Sequence, residues 1–86
     1  MPFPAKVEEI MKAPWVLNLY ERWQDEKQYE DIEEYRAAAT RFAGVPCIKA
    51  YKRPFGFAFE IEGKKYKVTV KAAGRGRYNM ITEALR

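Results

Sequence analysis

The sequence predicts an α+β fold, with two to three N-terminal helices packed on one face of a C-terminal, three- to four-stranded antiparallel meander. Apolar residues recur at helical spacing up to Gly44 and at every second position after it. Glycine and proline stand where this period changes and again between the alternating runs. Helices that all precede the strands are typical of the α+β class.

A chain of 86 residues is the size of one domain, so we expect residues 1–86 to share a single core. A domain this small buries only about 60% of its unfolded surface, and its core must therefore be dense. Five Phe, six Tyr and two Trp supply that density, because each ring buries a large area.

Two short helices are predicted at the N-terminus. The first covers about 6–12 and follows Pro4, which suits a helix start. Pro14 ends this helix and can open the next one, because it lacks an amide donor. The second helix is predicted to stop near Gln24, where charged residues interrupt its apolar stripe of Trp15, Val16, Leu19, Tyr20 and Trp23.

A third helix is predicted over about 30–43, ending at Gly44. Its predicted buried face is Ile32, Tyr35, Ala38, Ala39 and Phe42. A single continuous helix over 14–43 is the alternative interpretation.

The strongest strand signal is a hairpin that joins two runs of alternating apolar residues. We place its two-residue turn at Gly63-Lys64, with glycine first as a type II′ turn requires. The predicted inner-face pairs are Ile61 with Tyr66, Phe59 with Val68, and Phe57 with Val70. On the outer face, Glu62 is predicted to face Lys65, and Glu60 to face Lys67.

Two further strands complete the predicted sheet. Residues 47–52 fold back through a turn at 53–56, which would set Ile48 against Ile61, Ala50 against Phe59 and Lys49 against Glu60. The segment 78–85 carries both strand and helix formers, and we favour a fourth strand.

Charge divides the chain into an acidic helical half and a basic strand half. Residues 1–44 carry six Lys/Arg and nine Asp/Glu, a net charge of −3, whereas residues 45–86 carry ten and three, a net charge of +7. A basic face attracts phosphates, because neutralising them releases counterions.

The leading hypothesis is therefore a small non-enzymatic domain that binds single-stranded nucleic acid. The residues predicted to bind are Lys49, Tyr51, Lys65, Lys67 and Lys71 on the outer sheet face, with Arg75 and Arg77 on a glycine-rich loop. Lysines that only keep the sheet solvated are the simpler alternative.

The segment 53–58, with the sequence RPFGFA, resembles the aromatic submotif of RNA-recognition and cold-shock domains. The resemblance implies exposed rings that stack on bases. The chain departs from that pattern at Pro54 and Glu60, and its helices come before its strands. The predicted hairpin also places Phe55, Phe57 and Phe59 in the core, so we assign the chain to no family.

The second functional hypothesis is a protein-interaction module, either an adaptor, an assembly subunit or a small inhibitor. Its docking surface would be the acidic start of the third helix, including Glu30, Glu33 and Glu34, or an exposed tryptophan, Trp15 or Trp23.

An enzyme is the least favoured class, because the sequence contains no histidine and no serine. One cysteine, Cys47, allows no internal disulfide and no multi-thiolate metal site, and we expect it to be a small buried hydrophobe. No cofactor, metal or membrane span is predicted. The N-terminus lacks the pattern of a signal peptide, so the expected location is cytoplasmic.

Overall fold

The computed structural model describes residues 3–26 and 31–85. These residues form three helices followed by four strands, namely α1 Ala5–Lys12, α2 Pro14–Glu26, α3 Ile32–Ala43, β1 Cys47–Lys52, β2 Phe55–Ile61, β3 Lys64–Ala72 and β4 Tyr78–Leu85. The strands pair antiparallel in the order β1-β2-β3-β4. The predicted α+β fold with a C-terminal meander is confirmed, and residues 78–85 form the predicted fourth strand.

Helices α2 and α3 are separate, because Asp31 caps the start of α3. Its backbone is extended (φ −85°, ψ 129°), and its carboxylate accepts a hydrogen bond from the Glu33 N–H at 3.0 Å. This extended residue rules out one helix over 14–43. The predicted start of α3 at Glu30 lies outside the described residues, and α2 continues to Glu26, two residues beyond its predicted end.

The end of α3 lies where the sequence predicted it. Gly44 adopts the left-handed conformation (φ 75°), and its N–H donates to the Thr40 carbonyl at 3.0 Å. An L side chain is disfavoured at that φ, which is why glycine ends the helix there.

The core lies between the helices and one face of the sheet, called here the inner face. Phe55, Phe57 and Phe59 of β2 are at most 2% exposed, so their assignment to the core rather than to a stacking platform is confirmed. Rings from the helices meet them: Trp23 and Tyr35 pack edge to face at 5.3 Å, and Tyr35 packs on Phe55 at 6.0 Å.

The predicted burial of Phe42 is wrong. Its side chain is 57% exposed and its ring stacks on Trp15 with centroids 5.6 Å apart. The small residue Ala43, 2% exposed, occupies the buried position at the end of α3 instead.

The predicted register of the β2–β3 hairpin is also wrong, because the turn lies one residue earlier, at Glu62-Gly63. Both turn residues have positive φ (53° and 78°), as a type I′ turn requires. The observed inner-face pairs are therefore Phe59 with Tyr66 and Phe57 with Val68, while Ile61 pairs with Lys64. Glu60 faces Lys65, and Glu62 lies in the turn.

This slip of two positions keeps every side chain on its predicted face, because side chains alternate with a period of two. The type I′ turn suits the twist of the strands. Phe59 and Phe57 still face apolar residues, each now paired with the next inner-face residue of β3. Only Ile61 loses an apolar partner, and it remains 4% exposed.

The β1–β2 turn likewise lies one residue earlier than predicted, with Arg53 and Pro54 between the strands and a cis peptide bond joining them. Ala50 therefore pairs with Phe57 instead of Phe59, and Lys49 pairs with Ala58 instead of Glu60.

The predicted pairing of Ile48 with Ile61 is wrong, because the earlier turn alone would set Ile48 opposite Phe59 and a bulge between Cys47 and Lys49 then places Cys47 there instead. The extra residue moves Cys47 onto the inner face opposite Phe59, where it is 2% exposed, and leaves Ile48 42% exposed. The expectation that Cys47 is a small buried hydrophobe is confirmed.

Helix α3 holds this bulge in place through two side chains. The Arg36 guanidinium donates to the Cys47 carbonyl at 3.0 Å, and the Cys47 N–H donates to the Thr40 hydroxyl at 2.9 Å. Both backbone groups of Cys47 are thus paired with α3, so the bulge leaves neither of them unsatisfied.

Candidate functional site

The outer face of the sheet carries the lysines singled out in the sequence. Cross-strand partners share a face, so the row Lys49, Ala58, Lys67 and Glu83 runs across all four strands. The next row is Tyr51, Gly56, Thr69 and Ile81. Lys65 and Lys71 lie on the same face of β3, and both are exposed.

Tyr51, on the edge strand β1, has its ring between two ammonium groups. The Lys67 Nζ is 4.2 Å from the Tyr51 ring centroid, and the Lys49 Nζ is 5.0 Å from it. Each contact is a cation–π interaction, which contributes about 0.5–1 kcal/mol at an exposed site. The three side chains form a unit, called here the Tyr51 cluster.

Between the strands of the Tyr51 cluster, β2 carries only the small residues Gly56 and Ala58 on this face, and both are buried. A Cβ on Gly56 would lie 2.3 Å from the Val68 carbonyl oxygen and 2.7 Å from Thr69 Cα. No side chain fits in that space, so glycine lets the β2 and β3 backbones approach closely.

The corrected register changes the electrostatics of this face. The predicted position of Glu60 between Lys49 and Lys67 is occupied by Ala58, so no carboxylate separates the two lysines on β2. Glu83 is the cross-strand partner of Lys67 on β4. Within the described part of the chain, however, neither Lys49 nor Lys67 forms an ion pair with a carboxylate.

Arg75 and Arg77 lie in the loop between β3 and β4, at the same end of the sheet as the β1–β2 turn. The Ala73 N–H donates to the Arg77 carbonyl and the Arg77 N–H donates to the Gly74 carbonyl, both at 2.9 Å. Both arginines are exposed. Lys71 joins this loop to the outer face.

The helical residues considered for protein docking are divided between core and surface. Trp23 is 9% exposed and belongs to the core, whereas Trp15 is half-buried beneath Phe42. Glu33 forms a 2.8 Å ion pair with Arg36, and Glu34 is exposed. Glu30 lies outside the described residues.

Two surface features were not predicted from the sequence. One is the exposed ring of Phe42. The other is a groove at the end of the sheet, to which α2 contributes Tyr20 and the β1–β2 turn contributes Arg53. The one available signal was the basic pair Lys52-Arg53 directly before Pro54, which places two cations on a turn.

Cys47 is unsuited to act as a nucleophile. Burial raises the pKa of its thiol to about 11, and the thiol donates a hydrogen bond to the Lys49 carbonyl at 3.4 Å. It therefore stays protonated at neutral pH, whereas nucleophilic cysteines act as thiolates.

Over residues 3–26 and 31–85, the structure contains no cluster of three or more His, Cys, Asp or Glu side chains that could hold a metal ion. None of the helices in these ranges is long and apolar enough to cross a membrane. The sequence matches no protein-family model, and neither curated proteins nor solved structures give a significant match, so the chain's own residues carry the functional argument.

Proposed function

We propose that this protein is a small nucleic-acid-binding domain that holds single strands on the outer face of its sheet. The observation that carries the proposal is the Tyr51 cluster, an aromatic ring flanked by two lysines that form no ion pair with a described carboxylate. Aromatic rings beside cations are the elements that bind single strands without sequence preference.

The energies allow the ring's lysine contacts to be exchanged for nucleic acid. Each cation–π contact contributes about 0.5–1 kcal/mol at an exposed site. Stacking of one base on an aromatic side chain is worth about 1–3 kcal/mol. The two cation–π contacts together contribute about 1–2 kcal/mol, which one stacked base can replace, and the Lys49 and Lys67 ammonium groups then become available to contact phosphates.

The charge around the cluster supports the same proposal. Lys49, Lys65, Lys67 and Lys71 share the outer face with two carboxylates, Glu60 and Glu83. Arg75 and Arg77 extend the positive region beyond the end of the sheet. A strand that crosses the Tyr51 cluster would meet these arginines next.

The test is a titration of labelled single-stranded RNA and DNA by fluorescence anisotropy at about 50 and 200 mM salt. The variant Lys49→Gln/Lys67→Gln is compared with Lys12→Gln/Arg41→Gln, which removes the same charge from exposed positions on α1 and α3. We expect the sheet variant to bind at least tenfold more weakly. Its slope of log K against log salt should also be shallower by about 1.4, because two phosphate contacts on a single strand are lost.

Tyr51→Leu separates stacking from charge, since it should weaken binding without changing the salt slope. Equal losses in the sheet and helix variants would reduce the effect to net charge and contradict the proposal. Absence of binding at the lower salt concentration would contradict it as well.

The alternative function is protein docking through the helical half, and the observation in its favour is the exposed ring of Phe42 on Trp15. The acidic surface itself is less available than the sequence suggested. Asp31 caps α3 and Glu33 is paired with Arg36, so two of its described carboxylates already have partners. Failure of the nucleic-acid titration would make this surface the leading candidate.

A further inference from the structure

A groove of about 610 Å³ lies between the end of α2 and the end of the sheet. Helix α2 contributes Tyr20 and Gln24 to its lining, the end of β1 and the following turn contribute Lys52 and Arg53, and β3 contributes Lys71. The volume lies within the range of about 300–1,000 Å³ that is typical of small-molecule sites. Of the residues predicted to bind nucleic acid, the groove includes Lys71 alone.

One wall of the groove is aromatic and held in place by its neighbours. The half-buried Tyr20 ring packs against Phe55 at 5.5 Å and against Tyr78 at 5.1 Å. Its hydroxyl accepts a hydrogen bond from the Gln24 amide at 2.9 Å. The Tyr20 hydroxyl proton and the Gln24 amide oxygen can therefore meet polar groups at the edge of a bound ring.

The opposite rim of the groove is cationic. Lys52 and Arg53 lie at the β1–β2 turn, both exposed, and Lys71 lies near the end of β3. None of the described lining residues is an Asp or Glu, and none of these three cations is paired with a described carboxylate. Such a rim attracts an anion, and the arginine offers the planar fork that suits phosphate oxygens.

The two sides of the groove differ in polarity, and this fixes the orientation of a ligand. Helix α2 ends beside the groove, and its carbonyl end carries partial negative charge. A phosphate is therefore disfavoured near Gln24 and favoured near Lys52 and Arg53. A planar ring fits the other side, against Tyr20.

We propose that this groove binds a free nucleoside phosphate, with the base beside Tyr20 and Gln24 and the phosphate at Lys52 and Arg53. The site shares Lys71 with the outer sheet face, but Lys52 and Arg53, which would hold the phosphate, are not part of that face. The nucleoside phosphate would be a second ligand of this protein, recognised through both its base and its phosphate.

The test is isothermal titration calorimetry with AMP, GMP, CMP and UMP. The concentration of each nucleotide is increased to about 5 mM, so that millimolar dissociation constants can be measured. Adenosine, which lacks the phosphate, and inorganic phosphate, which lacks the nucleoside, are titrated as the two half-ligands. The groove variant is Lys52→Gln/Arg53→Gln, and its matched control is Lys12→Gln/Arg41→Gln, two exposed cations on α1 and α3 that do not line the groove. Circular dichroism verifies that both variants fold.

We expect at least one mononucleotide to bind and the groove variant to weaken it about tenfold or more, as loss of charged hydrogen bonds predicts. The control should bind unchanged, and each half-ligand should bind more weakly than the nucleotide. Tyr20→Leu, which removes the ring and leaves the rim, should weaken the nucleotide but not inorganic phosphate.

Three results would overturn the proposal. They are no heat of binding for any mononucleotide, equal weakening by the groove and control variants, and inorganic phosphate binding as tightly as AMP. A 5′-phosphorylated oligonucleotide that requires Lys52 and Arg53 while free nucleotides do not would assign the groove to strand ends instead. Since Lys49 and Lys67 are intact in these variants, the outcome is independent of the outer-face titration.

Discussion

Single residues on the two faces of the sheet have opposite roles. Cys47 is buried only because a bulge turns it inward, and burial raises the pKa of its thiol to about 11. On the outer face, Tyr51 is held by Lys49 and Lys67 at the surface, where a ligand can reach it. Without the bulge, alternation would place Cys47 on the outer face together with Tyr51, so the bulge is what keeps this thiol in the core.

The raised pKa of Cys47 predicts a loss of stability at alkaline pH. Below its ordinary pKa of 9.0 the thiol is protonated in both states and contributes no pH dependence. Between pH 9 and about 11 the unfolded chain releases this proton while the native protein keeps it, so the free energy of unfolding falls by up to about 2 kcal/mol. Urea unfolding at pH 8, 9, 10 and 11 measures the decline.

Cys47→Ala is the control for this alkaline series, since it removes the thiol and leaves the titrating lysines and tyrosines in place. The difference in free energy of unfolding between the two proteins should shrink as the pH rises. A difference that stays constant from pH 8 to 11 would show that the thiol is not protected by burial.

At the scale of elements, strands β2 and β3 are brought close together by Gly56. The glycine lies on the outer face beneath the Tyr51 cluster, and Val68 and Thr69 fill the space that a side chain would need. Gly56 and its neighbour on the same face, Ala58, are both buried there, so β2 presents no exposed side chain next to that cluster. The packing of two strands and the shape of the candidate binding face therefore depend on one residue.

Gly56→Ala should destabilise the protein by at least about 2 kcal/mol, because the added methyl group forces the two backbones apart. Asn79→Ala, at an exposed position on the outer face of β4, should change stability by no more than about 0.5 kcal/mol. Thermal unfolding of the two variants and the parent measures both effects. A Gly56→Ala protein as stable as the parent would show that the sheet can relax around the methyl group.

At the scale of the whole molecule, one core joins the helical and strand halves despite their opposite charge. Trp23 of α2, Tyr35 of α3 and Phe55 of β2 pack on one another with centroids 5.3 to 6.3 Å apart. Neither half buries its rings without the other. The net charges of −3 and +7 are therefore carried by two halves of the chain that share one aromatic core.

Because the helices and the sheet bury these aromatic rings against one another, we expect two-state unfolding. Tryptophan fluorescence, which reports on the rings between helices and sheet, and far-ultraviolet circular dichroism, which reports on the backbone, should give the same urea midpoint. Distinct midpoints would mean that the helices leave the sheet before the sheet unfolds.

The period of the sequence was sufficient to predict the fold and the faces of the strands, but not the strand pairing. Alternation places Phe57 and Lys67 on opposite faces in either register, because a slip of two positions changes no face. The observed register requires Glu62 to adopt a positive φ, and glutamate is not a residue type that indicates such a conformation in a sequence. The outer-face residues were therefore correctly placed while their neighbours were wrong.

The remaining errors come from contacts between distant segments. The bulge at Ile48 depends on Arg36 and Thr40 of α3, which no pattern within β1 reveals. The groove depends on α2, the β1–β2 turn and β3 meeting at one end of the sheet. Local periodicity carries no information about contacts between distant segments. The sequence therefore did not identify Lys52 and Arg53 as candidate binding residues.

The meander order also has a consequence for how quickly the chain can fold. Each strand pairs only with strands adjacent to it in sequence, across connections of two, two and five residues. Short connections lose little entropy when they close, and domains rich in such local contacts fold faster than those built from distant pairings. The strand order therefore favours fast formation of the sheet from local hairpins, of which the one closed by Glu62-Gly63 is an example.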